Sequence, residues 1–284
     1  MRLIRYRHAG RDSYGVVKGE AIVDLSPLLP YGDVRALLEA GMLAQAEELA
    51  AVREGDLAVD DVEVLLPVDR PRKIICIGIN YAERHEEYND PSAPSPRPNM
   101  FLRTVESFVA HGQPIVRPKV SDQLDYEGEI ALVIGRHGRY IEEADALSHV
   151  AGLTVANEGT LRDWLKHSKK NITQGKNFDA SGSMGPWIET DRSLLTAELR
   201  VQTWVSGEQR QNDTTARMVY PFAHLIHYVS QFSALHPGDV ILTGTPTGAG
   251  IRMDPPRFLT PGDTLTIEVS GVGRLENPIV DEPR

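Results

Sequence analysis

Residues 124–135 constrain the fold of this chain more than any other stretch, because acidic side chains directly precede an apolar run. Asp125, Glu127 and Glu129 are followed by five apolar residues at 130–134. We interpret the stretch as a β-strand. Alternate side chains of a strand leave the same face, so Glu127 and Glu129 lie about 7 Å apart along the backbone. The sequence therefore predicts two carboxylates that are aimed at one point.

These paired glutamates need a neutralising partner if the strand is buried. An unbroken apolar run is typical of a strand covered on both faces, and buried carboxylates repel each other. A divalent cation is the simplest neutraliser. Carboxylate oxygens without thiol or imidazole ligands favour a hard ion, Mg²⁺ before Ca²⁺ or Mn²⁺. The alternative is a strand end whose acids lie in solvent, as most charged residues do.

A third acid and a cation follow further along the chain. Residues 152–156 are predicted to form a strand, after which Asn157 and Glu158 precede a glycine. An acid at a strand end can reach a site formed at neighbouring strand ends, so Glu158 is the predicted third metal ligand. Lys176 is the only cation of the Gly- and Ser-rich loop at 174–188.

Composition narrows the class of partner. The net charge of -10 argues against a general nucleic-acid or membrane-surface binder and favours small-molecule partners. No stretch approaches the ~20 apolar residues that span a bilayer, and the first residues lack an apolar signal segment, so we expect a cytoplasmic protein. Cys76 is the only cysteine, which excludes an intrachain disulfide, a zinc finger and a CxxC redox site.

The chain is predicted to divide into two parts. Residues 1–68 suggest a small α/β accessory domain, with strands near 3–6, 15–18 and 21–25 and one amphipathic helix over 34–50. The Pro-rich segment at 67–71 is interpreted as a linker. Residues 69–284, in which apolar runs alternate with Gly and Pro, are predicted to form the larger, catalytic domain.

Five motifs in the larger part resemble the fumarylacetoacetate hydrolase family over about residues 70–280. The motifs are Gly78-Ile79-Asn80-Tyr81, Asp125-Tyr126-Glu127-Gly128-Glu129, Asn157-Glu158 before Arg162-Asp163-Trp164, Gly175-Lys176-Asn177-Phe178-Asp179, and Gly244-Thr245-Pro246-Thr247-Gly248. The resemblance implies an α+β, mostly β fold, with a rolled sheet barrel around the site and peripheral helices. It also implies a homodimer with a Mg²⁺ or Mn²⁺ centre that acts on 2-oxo or enol acids.

Most of the family's functional residues have counterparts in this chain. Glu127 and Glu129 match the two metal-binding glutamates, and Glu158 stands where the family usually has an aspartate. Lys176 resembles the active-site lysine. Thr245 resembles the threonine near the substrate carboxylate.

The chain departs from the family's pattern in two places. Leu165 stands where relatives often have a substrate-facing glutamine, and the segment around Arg84 also differs. The family commonly has a histidine where this chain has Arg84, followed three residues later by a glutamate, and the pair activates water. Here His85 is one position further on, and Glu87 is in register. We therefore predict His85 and Glu87, with Lys176, as catalytic residues. Arg84, Arg103 and Gln174 are predicted candidates for binding a substrate carboxylate.

The chemistry follows from a metal beside an oxo acid. A 2-oxo acid can chelate Mg²⁺, which then stabilises the enolate that forms when a bond at C3 breaks. A water-activating base makes a hydrolase, and its absence favours isomerisation or decarboxylation. The prediction is a Mg²⁺-dependent hydrolase that cleaves a C–C bond of a diketo acid such as an acylpyruvate or fumarylpyruvate. The alternatives are a decarboxylase or isomerase of the oxaloacetate or 5-carboxymethyl-2-hydroxymuconate type, and a non-catalytic ligand-binding module.

Overall fold

Strands carry most of the architecture. The structure is a computed structural model that describes residues 1–87, 96–167 and 171–283, without the side chains of His85 and Glu86. The strands are β1 (Arg2–His8), β2 (Arg11–Lys18), β3 (Ala21–Asp24), β4 (Leu57–Ala58), β5 (Glu63–Val64), β6 (Ile74–Ile77), β7 (Met100–Arg103), β8 (Phe108–Ala110), β9 (Ile115–Arg117), β10 (Leu124–Asp125), β11 (Gly128–Ile134), β12 (Val150–Asn157), β13 (Thr160–Leu161), β14 (Gly182–Glu189), β15 (Arg200–Val205), β16 (Glu208–Thr214), β17 (Val240–Leu242), β18 (Thr264–Val269) and β19 (Gly273–Asp281).

Helices are short and connect the strands. The α-helices are α1 (Val34–Glu39), α2 (Leu43–Ala51), α3 (Glu83–Glu87), α4 (Thr173–Lys176) and α5 (Phe222–Phe232). The 3₁₀ helices are Val59–Asp61, Val105–Ser107, Glu143–His149, Trp164–His167, Arg192–Leu195, Thr215–Arg217 and Gly250–Arg252. In the described ranges, no helix is long and apolar enough to cross a membrane.

The strands form one large sheet and two smaller ones. The large sheet has the order β4-β3-β2-β1-β14-β12-β11-β17-β6-β7, with β5 beside β1 and β8 beside β14. A five-stranded sheet has the order β16-β15-β18-β19-β9, and β10 pairs with β13. The predicted α+β, mostly β architecture is therefore confirmed.

The predicted barrel is wrong in one respect, because the strand order of the large sheet does not close over the residues described. The edge of β14 is occupied by β1, which pairs with it antiparallel at Leu3 and Ile188, and by β8, which pairs with it in parallel. The N-terminal strands thus extend this sheet beyond β14, and the sheet ends at β4 on one side and at β7 on the other. Through the pairing of β1 with β14, strands from both sides of residue 68 belong to one sheet. The division into two domains stays a prediction.

The N-terminal helix is also not as predicted. Instead of one helix over 34–50, α1 ends before Gly41, whose φ of 70° lies in the left-handed region. The Gly41 N–H donates to the Leu38 carbonyl and the Met42 N–H to the Leu37 carbonyl, which is a Schellman cap. The apolar spacing continues through this break, so periodicity alone could not reveal it.

The centre of the large sheet confirms the buried strand that was predicted from the apolar run at 130–134. Every residue of β11 is buried, and the strand lies between β12 and β17. Gly128 begins β11 and allows a very close approach by the five-stranded sheet, since a Cβ there would lie 2.2 Å from Thr203 Oγ1. Glu127 precedes this strand and Glu158 follows β12, so both acids lie at the same end of the strand pair.

Gly41→Ala should lower the free energy of unfolding by about 1–2 kcal/mol, because an L side chain is strained at positive φ. No atom lies within 4 Å of a Cβ built there, so the loss would come from the backbone and not from a clash. Urea unfolding measures it. Gly32→Ala is the matched control, since that glycine also faces open space but has no positive φ. Equal losses of unfolding free energy in the two variants would contradict the conclusion that Gly41 is needed for its positive φ.

Candidate metal centre

The three predicted metal ligands are buried at one end of the β11–β12 pair. Glu127, Glu129 and Glu158 are each at most 3% exposed. The pairing places Gly128 opposite Asn157, and the Glu158 N–H donates to the Glu127 carbonyl at 2.8 Å. Neighbouring strand ends therefore bring the acids together, and the alternative of a solvated acid cluster is wrong.

Glu127 is neutralised by cations from three different elements. Its Oε1 accepts from Arg84 Nη2 at 3.2 Å and from Arg162 Nη2 at 2.9 Å. Its Oε2 accepts from Lys176 Nζ at 2.5 Å and from Thr160 Oγ1 at 3.0 Å. Burial opposes the charge, but Arg162, Lys176 and Arg84 outweigh it and hold the pKa of Glu127 well below its ordinary value. Glu127 is therefore ionised at neutral pH.

Lys176, the last residue of α4, connects two of the acids. Its Nζ donates to Glu127, to Glu158 Oε2 at 3.1 Å and to Thr160 Oγ1 at 2.8 Å, and lies 5.2 Å from the centre of the Phe101 ring. Burial disfavours the ammonium, yet Glu127 and Glu158 more than compensate and raise the pKa of Lys176. The site therefore contains a protonated lysine.

Glu129 has the opposite environment. Its Oε2 accepts from the Gly244 N–H at 2.7 Å, whereas its Oε1 is buried and has no hydrogen-bond partner among the side chains and backbone that the structure describes, as is true of Glu158 Oε1. Burial, with the charges of Glu158 and Glu127, raises the pKa of Glu129 well above its ordinary value. Two buried carboxylate oxygens without donors are the ligands that a hard divalent ion would take. The donor set therefore fits Mg²⁺ or Mn²⁺.

The ammonium of Lys176 restricts how such an ion could be held. Within the described ranges, no three His, Cys, Asp or Glu side chains form a ready metal-binding group. Lys176 and two arginines occupy both oxygens of Glu127, so side chains must rearrange before all three acids can ligate. The metal role of Glu127, Glu129 and Glu158 thus stays a prediction.

The loop after β17 supports the protein's own acids. Four backbone N–H groups between residues 244 and 251 donate to protein carboxylates. The donor and acceptor pairs are Gly244 and Glu129, Gly248 and Glu87, Gly250 and Asp125, and Ile251 and Asp125. The loop therefore orients acids that lie around the site.

Thr245 of this loop was predicted to contact substrate, and its contacts do not support that role. It is 2% exposed, and its Oγ1 donates to the Gly128 carbonyl and accepts from Gln211 Nε2, both at 2.9 Å. Its hydroxyl thus holds the backbone between the two glutamates.

Helix α3 brings Arg84 and Glu87 to the site. Buried Arg84 donates to Glu87 Oε2 and to Glu127, and Glu87 Oε1 accepts from the Gly248 N–H at 2.9 Å. Both of these Arg84 partners are protein carboxylates. The side chain of His85 lies outside the described part, so its catalytic role stays a prediction.

The two remaining residues that were predicted to bind substrate, Arg103 and Gln174, lie in different surroundings. Arg103 is buried, and its guanidinium donates to Ser107, the Gly159 carbonyl and Ser181 Oγ, which is a structural role. Gln174 is exposed and lines a surface cavity of about 630 Å³ with Trp164 and Phe178. The contacts of Arg103 do not support its predicted substrate binding, whereas the role of Gln174 stays a prediction.

Sequence reasoning missed residues that support the acids. Arg162 Nε donates to Asp125 Oδ2 at 2.7 Å, and its Nη2 donates to Glu127. A buried arginine needs a carboxylate partner, so its place directly after the apolar end of β13 was a usable signal. Gln211 gave no signal, because it lies in a uniformly polar strand, β16.

Comparisons with known proteins cover nearly the whole chain. A family model described as "Fumarylacetoacetate (FAA) hydrolase C-terminal" matches residues 73–280. The protein named "Oxaloacetate tautomerase FAHD2A, mitochondrial" from Bos taurus is 37% identical over an alignment of 292 positions, which covers 99% of this chain and 92% of the bovine protein. This second similarity therefore includes the N-terminal residues outside the family model.

Solved structures show the same fold. A fumarylacetoacetate hydrolase from Exiguobacterium antarcticum superposes with a TM-score of 0.84 at 32% identity, covering 99% of this chain and 100% of that one. A maleylpyruvate hydrolase from Sphingobium sp. SYK-6, in complex with manganese(II) ion and pyruvate, gives a TM-score of 0.83 at 25% identity, with full coverage of both chains.

Glu129→Gln should stabilise the metal-free protein at neutral pH. A carboxyl whose pKa is raised by folding lowers the free energy of unfolding as the pH rises above its unfolded value, and the amide removes this effect. The amide oxygen can still accept from Gly244. We expect a gain of about 1–3 kcal/mol at pH 8 that shrinks toward pH 4. Urea unfolding in EDTA across this pH range measures it.

The same variant should lose the stabilisation by metal. Mn²⁺ should raise the melting temperature of the wild type much more than that of Glu129→Gln, because binding to the native state alone is stabilising. Glu20→Gln, a substitution of an exposed glutamate, is the matched control. An equal Mn²⁺ shift in Glu129→Gln and the wild type would contradict the ligand assignment.

Proposed function

The chain belongs to the fumarylacetoacetate (FAA) hydrolase family, and from this premise we propose that it interconverts the enol and keto forms of a 2-oxo dicarboxylic acid of the oxaloacetate type. The name of the bovine relative supports this substrate class. The site's three buried glutamates and protonated lysine support a reaction that passes through an enolate. We therefore propose isomerisation as the reaction, in place of the hydrolysis that the sequence analysis predicted.

The ion pair between Arg84 and Glu87 is the observation that carries this choice. Hydrolysis needs a group that orients and deprotonates a water molecule. Arg84 stands where the family commonly has the histidine of its water-activating pair, and it donates to Glu87 and to Glu127. A guanidinium has no lone pair that could take a proton from water, so this position lacks the base that a histidine would supply. Tautomerisation needs no attacking water, only a proton moved between oxygen and C3.

A divalent ion completes the proposed site. Glu127, Glu129 and Glu158 would hold it, and we take Mg²⁺ as the native ion, with Mn²⁺ as a substitute. When bound, the ion supplies a Lewis acid that stabilises negative charge on the substrate's oxo oxygen. The similar maleylpyruvate hydrolase structure contains manganese(II), which supports a divalent ion here.

The protein's own residues divide the remaining work. Lys176, whose pKa is raised, stays protonated and stabilises developing charge on a substrate oxygen. Glu87 has a 15% exposed side chain, in contrast to the three buried glutamates, and is our proposed group for moving the C3 proton. His85 is the alternative for this proton transfer.

A C–C hydrolase of the maleylpyruvate or acylpyruvate type is the second candidate. It is favoured by the full-length similarity to the maleylpyruvate hydrolase that binds pyruvate. Hydrolysis and decarboxylation of a 2-oxo acid also pass through an enolate, so the products distinguish the three reactions.

Assembly and location belong to the proposal as well. We propose a homodimer, as the family resemblance implies. We also retain a cytoplasmic location, although the bovine relative is named as mitochondrial.

An enzyme assay tests the proposed function. With Mn²⁺ or Mg²⁺, the protein should accelerate the loss of ultraviolet absorbance of enol-oxaloacetate. Glu87→Gln should lower kcat by about 10²–10⁴-fold, the usual contribution of an acid–base group. Glu83→Gln on the same helix, a glutamate paired with Arg217, is the matched control and should retain activity.

Product analysis decides between the candidates. Pyruvate and a carboxylic acid formed from an acylpyruvate at a higher kcat/KM than enol-oxaloacetate turnover would make the chain a hydrolase. CO₂ released from oxaloacetate would make it a decarboxylase.

A further inference from the structure

Gly128 lies between two predicted metal ligands, and side chains from other segments bind both of its backbone polar groups. Its N–H donates to Gln211 Oε1 at 2.9 Å, and its carbonyl accepts from Thr245 Oγ1 at 2.9 Å. Gln211 Nε2 also donates to Thr245 Oγ1 and to the Pro246 carbonyl, both at 2.9 Å. We call Gln211 and Thr245 the Gly128 clamp.

The clamp replaces a missing part of the sheet ladder. Strand β17 pairs with β11 only over residues 131–133, so it does not reach Gly128. Gln211 and Thr245 are 1% and 2% exposed, where water is a poor substitute for a lost partner. Loss of either side chain would leave a backbone group of Gly128 buried and unpaired.

The clamp acts on both flanking carboxylates. Glu127 and Glu129 are the immediate neighbours of Gly128, so a rotation of either peptide group moves a ligand. Thr245 also follows Gly244, whose N–H binds Glu129. The loop after β17 therefore makes two contacts: Gly244 binds the carboxylate of Glu129, and Thr245 binds the carbonyl of Gly128.

We propose that Gln211 and Thr245 are positioning residues that set the separation and direction of the Glu127 and Glu129 carboxylates, and thereby the affinity for a divalent cation. The inference rests on the metal site of the proposed function. Outer residues that orient metal ligands typically change metal affinity by about 10–100-fold when they are replaced. Gln211 belongs to β16, so the five-stranded sheet takes part in building the site.

Calorimetric titration of the full chain with Mn²⁺ alone tests the proposal. Gln211→Met, which keeps the length and removes both hydrogen-bonding groups, should weaken Mn²⁺ binding about 10–100-fold. Thr245→Val should act in the same direction, whereas Thr245→Ser keeps the hydroxyl and should bind nearly as the wild type does. Gln202→Met, at a half-buried glutamine of the adjacent β15, is the matched control.

The serine variant separates positioning from general damage, because Val and Ser both alter packing and only Ser can donate to Gly128. If Gln211→Met does not unfold cooperatively, the Thr245 pair alone decides. Equal Mn²⁺ affinity of the Val and Ser variants, affinity of a folded Gln211→Met within twofold of the wild type, or no Mn²⁺ binding by the wild type would overturn the proposal. A wild type without tautomerase activity, whose clamp variants still lose Mn²⁺ affinity, would refute only the proposed function.

Discussion

The neutralisation of one buried carboxylate, that of Glu127, determines how the site is assembled. An unpaired buried charge costs several kcal/mol, so partners must be supplied from elsewhere in the chain. Arg84 comes from α3, Arg162 directly follows β13 and Lys176 ends α4. Three segments distant in sequence therefore meet at the end of the β11–β12 pair, and the residues proposed for catalysis arrive with them.

The asymmetry between the glutamates explains how such a site can be stable and still reactive. Glu127 has several donors and a lowered pKa, whereas Glu129 has one backbone donor, a bare oxygen and a raised pKa. A site in which every oxygen was paired would leave nothing for a ligand. The Gly244 N–H, which donates to Glu129 Oε2, is the partner that supports this buried acid.

The buried acids and the central strands could be predicted from the sequence, because both produce a recognisable pattern over a few neighbouring residues. The apolar run after Glu129 predicted a buried strand, and Glu158 was recognised by its place after one. The clamp residue Gln211 and the contacts of Arg103 could not be predicted, since tertiary packing alone brings them to the site or away from it. The break at Gly41 was missed because apolar periodicity continued across it. The open sheet was missed because strand order depends on which edge the N-terminal strands occupy.

We propose that three buried glutamates, with Lys176 beside them, hold one hard divalent ion. Anomalous diffraction from crystals grown with Mn²⁺ would locate that ion. We expect one strong peak about 2.1 Å from oxygens of Glu127, Glu129 and Glu158, with the Lys176 ammonium displaced from at least one carboxylate. No peak at this position, with Lys176 still bridging Glu127 and Glu158, would contradict it.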